Sequence, residues 1–515
     1  MNKRAALWGF CAMLFACGHA QPTIDWQQLY GGSGADSGFS IAPTADGGYI
    51  VLGRTLSNDV QVSGNHGLHD LWVIKIDAIG GLEWQRCLGG SDIEEPGDIE
   101  QTPDGGYVLI GRTSSNDGDV SQLSGDRDIW VVRLTPTGEM LWERSYGGTG
   151  IEAGRWLQIQ PNGDILLFGN TTSPELPGYH GGGDLWLGLI DQNGNLLQQR
   201  CYGGTEQDIV GYSSLVSDGR IVLCGTTGSN DGDVSGFHDG SDAWVALLDE
   251  NWDIVWQKCL GGSSYENGTA ICSGPANDLY VAVTALSLDG EISSPIGSVD
   301  YWIVRLSGDG NILAERSFGG TEVDGTWCTG YSTMYGLVVY GITYSTDGDI
   351  SDPLGSNDAW LISMNTELDL NWELTLGGSS GDSGRGLCFA LDGSLLVVGI
   401  TDSFIGDLPI NLGSGDLWVV KFNPETVGIT EASSSAGLTL YPNPSSDQVR
   451  IQWSDPAAQQ LEVADALGRV VYQEQLRQQG NNERVLAVGD WANGLYTVRV
   501  LGPKAQQVSR FIKKN

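Results

Sequence analysis

Positive charge is scarce in this chain: 26 Lys and Arg stand against 64 Asp and Glu, for a formal net charge of −38. That balance argues against nucleic acid and anionic membrane as partners, since both require a cationic face. It favours solubility and leaves cations as natural counter-ligands. No His-Glu-x-x-His or phosphate-loop motif occurs, so zinc-protease and nucleotide chemistries have no carrier here, and the Gly-x-Ser-x-Gly string Gly377-Gly378-Ser379-Ser380-Gly381 falls on a Gly-Gly pair of the repeat and not on a strand-to-helix elbow. The cysteines lack metal-type spacing. Cys87, Cys201, Cys224, Cys259, Cys272, Cys328 and Cys388 read as small buried thiols, because a repeat holds equivalent positions too far apart for disulfides. No transmembrane segment is read: the apolar run from Ala5 to Ala16 is too short to span as a helix. With Lys3 and Arg4 before it and Gly18-His19-Ala20 behind, it marks residues 1–20 as a secretory signal peptide. Leu14-Phe15-Ala16-Cys17-Gly18 approximates a lipid-attachment box, which keeps acylation at Cys17 as the alternative.

What is present is one pattern written seven times. Gly-Gly pairs begin at Gly31, Gly89, Gly147, Gly203, Gly261, Gly319 and Gly377, spaced by 58 residues with a single 56. Each pair is followed by an acid (Asp36, Glu94, Glu152, Asp208, Glu266, Asp324, Asp382) and later by Asp-x-Trp, from Asp70/Trp72 to Asp416/Trp418. A fixed period of this size without helical periodicity points to radially arranged β units, and hence to an all-β seven-bladed β-propeller over 21–425. One unit carries four strand signals, near Asp98 to Thr102, Tyr107 to Thr113, Ile129 to Leu134 and Glu139 to Tyr146, with glycine-bearing turns between them. The seventh unit ends at Phe422 one strand short. Thr23 to Gly32 has Trp26 where other units have Trp84, Trp142, Trp256 and Trp372, so this N-terminal strand is expected to close the last blade. The hairpin Asp77-Ala78-Ile79-Gly80 with Trp84, and more loosely Asp191-Gln192-Asn193-Gly194, resembles the repeat of quinoprotein-like propellers, which implies architecture alone.

A compositional break runs through residues 426–437, with Glu431-Ala432-Ser433-Ser434-Ser435 as a flexible joint. Beyond it, residues 438–515 read as a small β-sandwich of short strands at Leu438 to Tyr441, Val449 to Trp453, Leu461 to Ala464, Val470 to Gln473 and Leu495 to Leu501. Tyr441-Pro442-Asn443-Pro444, the turn and strand Asp465 to Val471 around Gly468, Asn493-Gly494-Leu495-Tyr496, and the terminal Phe511-Ile512-Lys513-Lys514 resemble the C-terminal sorting domain of type IX secretion substrates in Bacteroidota. The resemblance implies handling by the type IX machinery, export to the extracellular space or outer cell surface, and removal of this domain.

Two acidic series should share one face of the ring, because the loops between strands two and three and those entering the next blade emerge together. Asp117, Asp119, Asp231, Asp233, Asp347 and Asp349, in Asp-Gly-Asp loops, are the candidate calcium ligands, being hard oxygen donors. Turn capping by the same side chains is the competing reading. Sites of function are expected where the repeats disagree. Blade three replaces the Asp-Gly-Asp loop with Pro174 to His180, its first strand carries Trp156, and blade six places Trp327 nearby in register. Aromatic rings beside carboxylates suit sugar recognition, so Trp156, Tyr179, His180 and Trp327 are the candidate ligand residues, with packing as the competing role for the tryptophans. The expected function is an exported, non-catalytic binding or adhesion module for a glycan or protein ligand. An extracellular polysaccharide hydrolase or lyase, and a structural surface or matrix component, are the alternatives.

Overall fold

The computed structural model describes residues 21–211, 214–215, 219–403 and 412–424, and, between 438 and 513, all but 442–446, 454–458, 466–469, 477–481, 490, 492–493 and 502–505. The expected signal segment with Cys17 and the joint at 426–437 lie outside the described residues. The chain divides into two units between Thr426 and Val427.

The first unit is a succession of antiparallel four-stranded sheets, seven in all. In the second, Glu94–Gln101, Tyr107–Thr113, Asp128–Leu134 and Met140–Tyr146 pair in chain order. Its first strand starts earlier than the apolar pattern suggests because the acid itself belongs to the ladder: Glu94 pairs with Thr113, whose hydroxyl donates to the Glu94 carboxylate at 2.7 Å. Blade four differs in that its inner strand comes in two pieces, Asp208–Val210 and Ser214–Leu215.

Strands two and three are apolar on both faces because each sheet is stacked between two others, and both faces are therefore buried. The seven tryptophans of Asp-x-Trp are the largest fully buried side chains. In the first six the indole N–H donates to the strand-four residue thirteen positions on, as from Trp72 to Gln85 at 2.9 Å and from Trp130 to Glu143 at 2.8 Å. All seven cysteines of the propeller are free thiols, Cys272 and Cys388 half-buried and the others buried.

Neighbouring blades are tied by a repeated backbone bond. The N–H of the first acid donates to the carbonyl just before the previous blade's Asp-x-Trp, from Glu94 to His69 at 2.7 Å and from Glu266 to Ser241 at 2.7 Å. The same bond joins Asp36 to Gly415 at 2.8 Å, which links the first sheet to the last. The strand Ile24–Tyr30 completes that last sheet, with Trp26 opposite Lys421 and Leu29 opposite Trp418. Trp26 then donates to the Ala78 carbonyl of blade one at 3.1 Å, as Trp142 does to Gln192 at 3.1 Å and Trp256 to Gly308 at 3.0 Å. The ring is thus closed by its N-terminal strand, which covers an edge that would otherwise invite pairing.

In the second unit Leu438–Tyr441, Gln448–Trp453 and Glu483–Ala487 form one sheet, and Val470–Gln475, Gln460–Asp465, Gly494–Leu501 and Gln506–Lys513 form another. Val449, Ile451, Leu461, Val463, Tyr496 and Val498 fill the core between them.

Candidate functional site

Every innermost strand that is described in full carries a β-bulge near its start, where the register slips by one residue. The extra residues are Phe39, Gly97, Arg155, Thr269, Trp327 and Arg385. A bulge frees the inserted side chain from the ladder and re-aims it, and here the inserted position is one the repeat does not fix. Below the bulges the inner strands enclose a cavity of about 430 Å³, lined by Ser40, Asp98, Glu100, Trp156, Gln158 and Tyr331 among others.

Among the described lining residues, carboxylates come from blade two alone. Ser40 and Ala42 occupy the positions of Asp98 and Glu100 in blade one, Trp156 and Gln158 in blade three, Ala270 and Cys272 in blade five. Asp98 accepts from the Ser40 hydroxyl at 2.6 Å and from the Leu157 N–H at 3.4 Å, joining three blades. Burial pushes its carboxyl up to about 6 despite these donors. Glu100 accepts from the Ile159 N–H at 3.2 Å, and burial together with the adjacent Asp98 charge pushes it up to about 8. No Lys or Arg is among the described residues lining the cavity.

Positive charge gathers instead at the bulges. The Arg385 guanidinium lies over the rings of Trp327 and Phe39, and Arg54 lies over Phe39 as well. Arg54 and Arg112 both reach Glu95, at 3.8 and 2.5 Å. Burial alone would raise the Glu95 carboxyl, but Arg112, with Arg54 and Arg155 near, holds it below the ordinary range.

The two acidic series do meet on one face. Asp36 accepts from the N–H of Gly32 at 2.7 Å and the Ser57 hydroxyl at 2.8 Å; Asp324 accepts from Gly320 and Ser345 in the same way. Asp416, of the preceding Asp-x-Trp, accepts from the Leu412 N–H at 2.7 Å. A Cβ added to Gly31 would lie 2.6 Å from oxygens of both Asp36 and Asp416, so the Gly-Gly pair is the gap between two carboxyls. Burial raises all the Asp-x-Trp carboxyls, Asp184 and Asp416 to about 6.

In the Asp-Gly-Asp loops the first carboxylate accepts from a backbone N–H of the preceding turn: Asp117 from Ser91 at 2.7 Å, Asp231 from Thr205 at 2.8 Å, Asp347 from Thr321 at 2.8 Å. The second accepts from the Gly-Gly pair: Asp119 from Gly89 at 3.2 Å, Asp233 from Gly203 at 3.4 Å, Asp349 from Gly319 at 3.2 Å. These are turn-capping contacts, and among the described residues no three His, Cys, Asp or Glu are grouped as a metal cage. The four candidate ligand residues separate. Trp156 lines the cavity, whereas Trp327, 36% exposed, is not among its lining residues and lies under the Arg385 guanidinium. Tyr179 packs against the core between blades two and three, and His180 bonds to Asp184, its backbone N–H at 2.8 Å and its Nδ1 at 3.1 Å. His66 and His238 repeat that contact with Asp70 and Asp242. Asp98, Glu100 and the arginines were not read from the sequence; aligning the first strands of the repeats exposes blade two's Glu94-x-x-x-Asp98-x-Glu100 as the exception.

Sheets stacked in a closed ring, with a cavity at the axis, define a β-propeller. Residues 439–514 match the family model of the secretion system C-terminal sorting domain. The C-terminal unit is therefore a type IX sorting domain, and the chain is exported to the cell surface or the extracellular space. Of the sorting-motif residues, Tyr441 faces Arg450 across the sheet, Tyr496 is buried against Trp491, and Gly494 pairs with a buried Lys513. Pro442, Asn443, Pro444, Gly468 and Lys514 lie outside the described residues. Among curated proteins, the regulatory protein FlaEY of Caulobacter vibrioides is 24% identical over 398 residues; the match covers 68% of this chain and 40% of that protein's length. Similar solved structures include the Pan2 WD40 domain of Neurospora crassa, at 9% identity and TM-score 0.40, covering 76% of this chain and 89% of that one. A protein of unknown function from Dyadobacter fermentans matches at 10% and 0.42, covering 78% and 99%. The PQQ-bound aldose sugar dehydrogenase of Streptomyces coelicolor matches at 13% and 0.33, covering 78% and 100%. No activity is carried from these likenesses. Among the described residues no helix is long and apolar enough to cross a membrane.

Proposed function

We propose that this exported propeller is a non-catalytic extracellular binding module that takes a glycan at the mouth of its axial cavity. The observation that supports this most is the break in symmetry at the axis. The rim carboxylates recur from blade to blade as turn caps, whereas Trp327, Phe39, Asp98 and Glu100 each occur at a position where the other described blades differ, and the position of Arg385 is shared only with Arg155 among them. A cavity with a few convergent polar groups and aromatic walls is the usual form of a small-ligand site. Removal of the sorting domain, residues 438–515, would leave the propeller over 21–425 as the working part, released or held at the surface.

A second reading, an enzyme on polysaccharide, is favoured by one feature: Asp98 and Glu100 are two raised carboxyls on one strand, the pairing that glycoside hydrolysis uses. A glycan array probed with the mature chain, with each spot analysed for released fragments, separates the two. Selective binding without fragments supports the module, fragments support the enzyme, and silence on every sugar moves the weight to a protein ligand or a structural role.

A further inference from the structure

Among the described residues lining the axial cavity, Asp98 and Glu100 are the carboxyls, and no Lys, Arg or His stands opposite them. The two are neighbours but one on the strand Glu94–Gln101, so their side chains leave the same face of it, with Cα atoms about 7 Å apart. The thiols of Cys272, Cys328 and Cys388 also face the cavity, but burial raises all three, Cys272 and Cys388 to about 12, and they stay protonated.

The two carboxyls are not equally engaged. Asp98 accepts from the Ser40 hydroxyl at 2.6 Å and from the backbone N–H groups of Ile99 and Leu157. Glu100 accepts from the Ile159 N–H through Oε2, and among the described residues its Oε1 has no hydrogen-bond partner. A buried carboxyl without a cation beside it takes up a proton instead, and burial with the Asp98 charge raises Glu100 to about 8. The lining therefore carries negative charge on Asp98, a second carboxyl ready to ionise, and no cation of its own.

The walls suit the same kind of partner. Trp156 holds in blade three the place that Asp98 holds in blade two. Tyr331 stacks on Tyr280 at 6.3 Å and Phe389 on Tyr335 at 6.0 Å, so two further lining rings are fixed by their neighbours. Aromatic faces attract ammonium groups, those of tryptophan most strongly, and the same faces pack on a sugar ring. A volume of about 430 Å³ admits a ligand of sugar size. An anion entering this space would meet two carboxyls in a chain of formal net charge −38, whereas a cation is drawn in by both. The arginines of the bulges stand outside the lining: Arg54, Arg112 and Arg155 act on Glu95, and Arg385 lies over Trp327 and Phe39.

We infer that the axial cavity binds an amino sugar through its free ammonium group, with Asp98 and Glu100 as the counter-charge and the lining aromatic rings against the sugar. This rests on the binding-module reading and names its ligand class.

The test is calorimetric titration of residues 21–515 at pH 7 with glucosamine, a glucosamine trimer, the N-acetyl counterparts of both, and cadaverine. Acetylation removes the charge and keeps the ring. The amino forms are expected to bind at least about tenfold more tightly than the acetylated ones, the loss that removing a hydrogen bond to a charged group implies. Their binding should also release protons, read as a heat that changes with the buffer's ionisation enthalpy, because an ammonium beside Glu100 displaces the proton held there at pH 7. Asp98→Asn and, separately, Glu100→Gln should each weaken amino-sugar binding by about tenfold, and Glu100→Gln should abolish the proton release; two variants are used so that misfolding of one leaves the other as the test. Preference for the monosaccharide would assign a free amino sugar, and preference for the trimer a polysaccharide end, both in support. Acetylated forms bound as tightly as amino forms, or amino-sugar binding unchanged in both variants, overturns the ammonium site and leaves the module reading in place. Cadaverine bound as tightly as glucosamine overturns the saccharide assignment. Silence toward every compound overturns this inference, and the glycan array then decides the module reading separately.

Discussion

Cutting residues 21–30 from a chain of residues 21–515 removes the strand that closes the ring. Leu29 and Tyr30 are buried and Trp26 half-buried in the closed blade, and the Trp26 indole and Tyr30 hydroxyl donate to the Ala78 and Gly80 carbonyls of blade one at 3.1 and 2.6 Å. Full burial of a large apolar side chain stabilises by about 1.5–3 kcal/mol and each such hydrogen bond by about 1 kcal/mol. The strand therefore contributes roughly 5–8 kcal/mol, against a total of about 5–15 kcal/mol for a typical domain. Its loss also bares Asp416–Phe422, an apolar strand whose unpaired edge is a template for other chains. Circular-dichroism melts and size-exclusion chromatography of 21–515 and 31–515 read both effects. The truncated chain should melt at least about 10 °C lower or elute as an oligomer. A monomer that melts within about 2 °C of the parent would refute closure by this strand.

Other predictions follow from the same contacts. Gly138 has φ of +81° and a Cβ there would lie 2.9 Å from the Trp84 ring, whereas Gly47, at +86°, has open space; Gly138→Ala should cost about 2–4 kcal/mol and Gly47→Ala about 1 kcal/mol by denaturant titration, and equal costs would refute the interblade contact. EDTA should leave the melting temperature within about 1 °C, because the Asp-Gly-Asp carboxylates already accept backbone N–H bonds; a fall of several degrees restored by calcium would establish the metal. Asp98, Asp184 and Asp416 stand near 6 and Glu100 near 8 in the fold, above their unfolded values of about 4. Stability from such raised carboxyls is complete below about pH 4 and is lost as pH rises through 6 and then 8. Melting temperature should therefore fall from pH 5 to 9, and Glu100→Gln should flatten the upper part; a rise over that range contradicts the burial argument. Residues 426–515 fused to a periplasmic reporter should carry it across the outer membrane of a host with type IX secretion, and a reporter retained in the periplasm would sink the sorting role.

Repetition made the architecture legible. Seven Asp-x-Trp pairs at a fixed period give the blade count, and Trp26, standing where Trp84 and Trp142 stand, reveals the missing strand at the far end of the chain. The Tyr441, Gly494 and Lys513 signatures sufficed for the sorting domain, although two of its strands, Glu483–Ala487 and Gln506–Lys513, escaped notice because charged and amide side chains interrupt their apolar alternation. The axial site was harder to read. Phe39, Trp327 and Arg385 reach the mouth through bulges, and a one-residue insertion cannot be seen in a sequence whose repeat length it does not change. The arginines also meet only across blades: Arg54 and Glu95 belong to neighbouring sheets, and Arg385 reaches Phe39 only because the ring closes. Trp156 and Trp327 were visible as aromatic exceptions, yet the cavity that separates them from Tyr179 and His180 exists only in the folded ring.

The most direct test of the axial site is a glycan array probed in parallel with the mature chain and with its Arg54→Gln/Arg385→Gln double variant, both confirmed folded by their melts. The account predicts selective capture of particular sugars by the parent, with no fragments released, and loss of that capture in the variant. Capture of the same sugars by both proteins, or by neither, would contradict it.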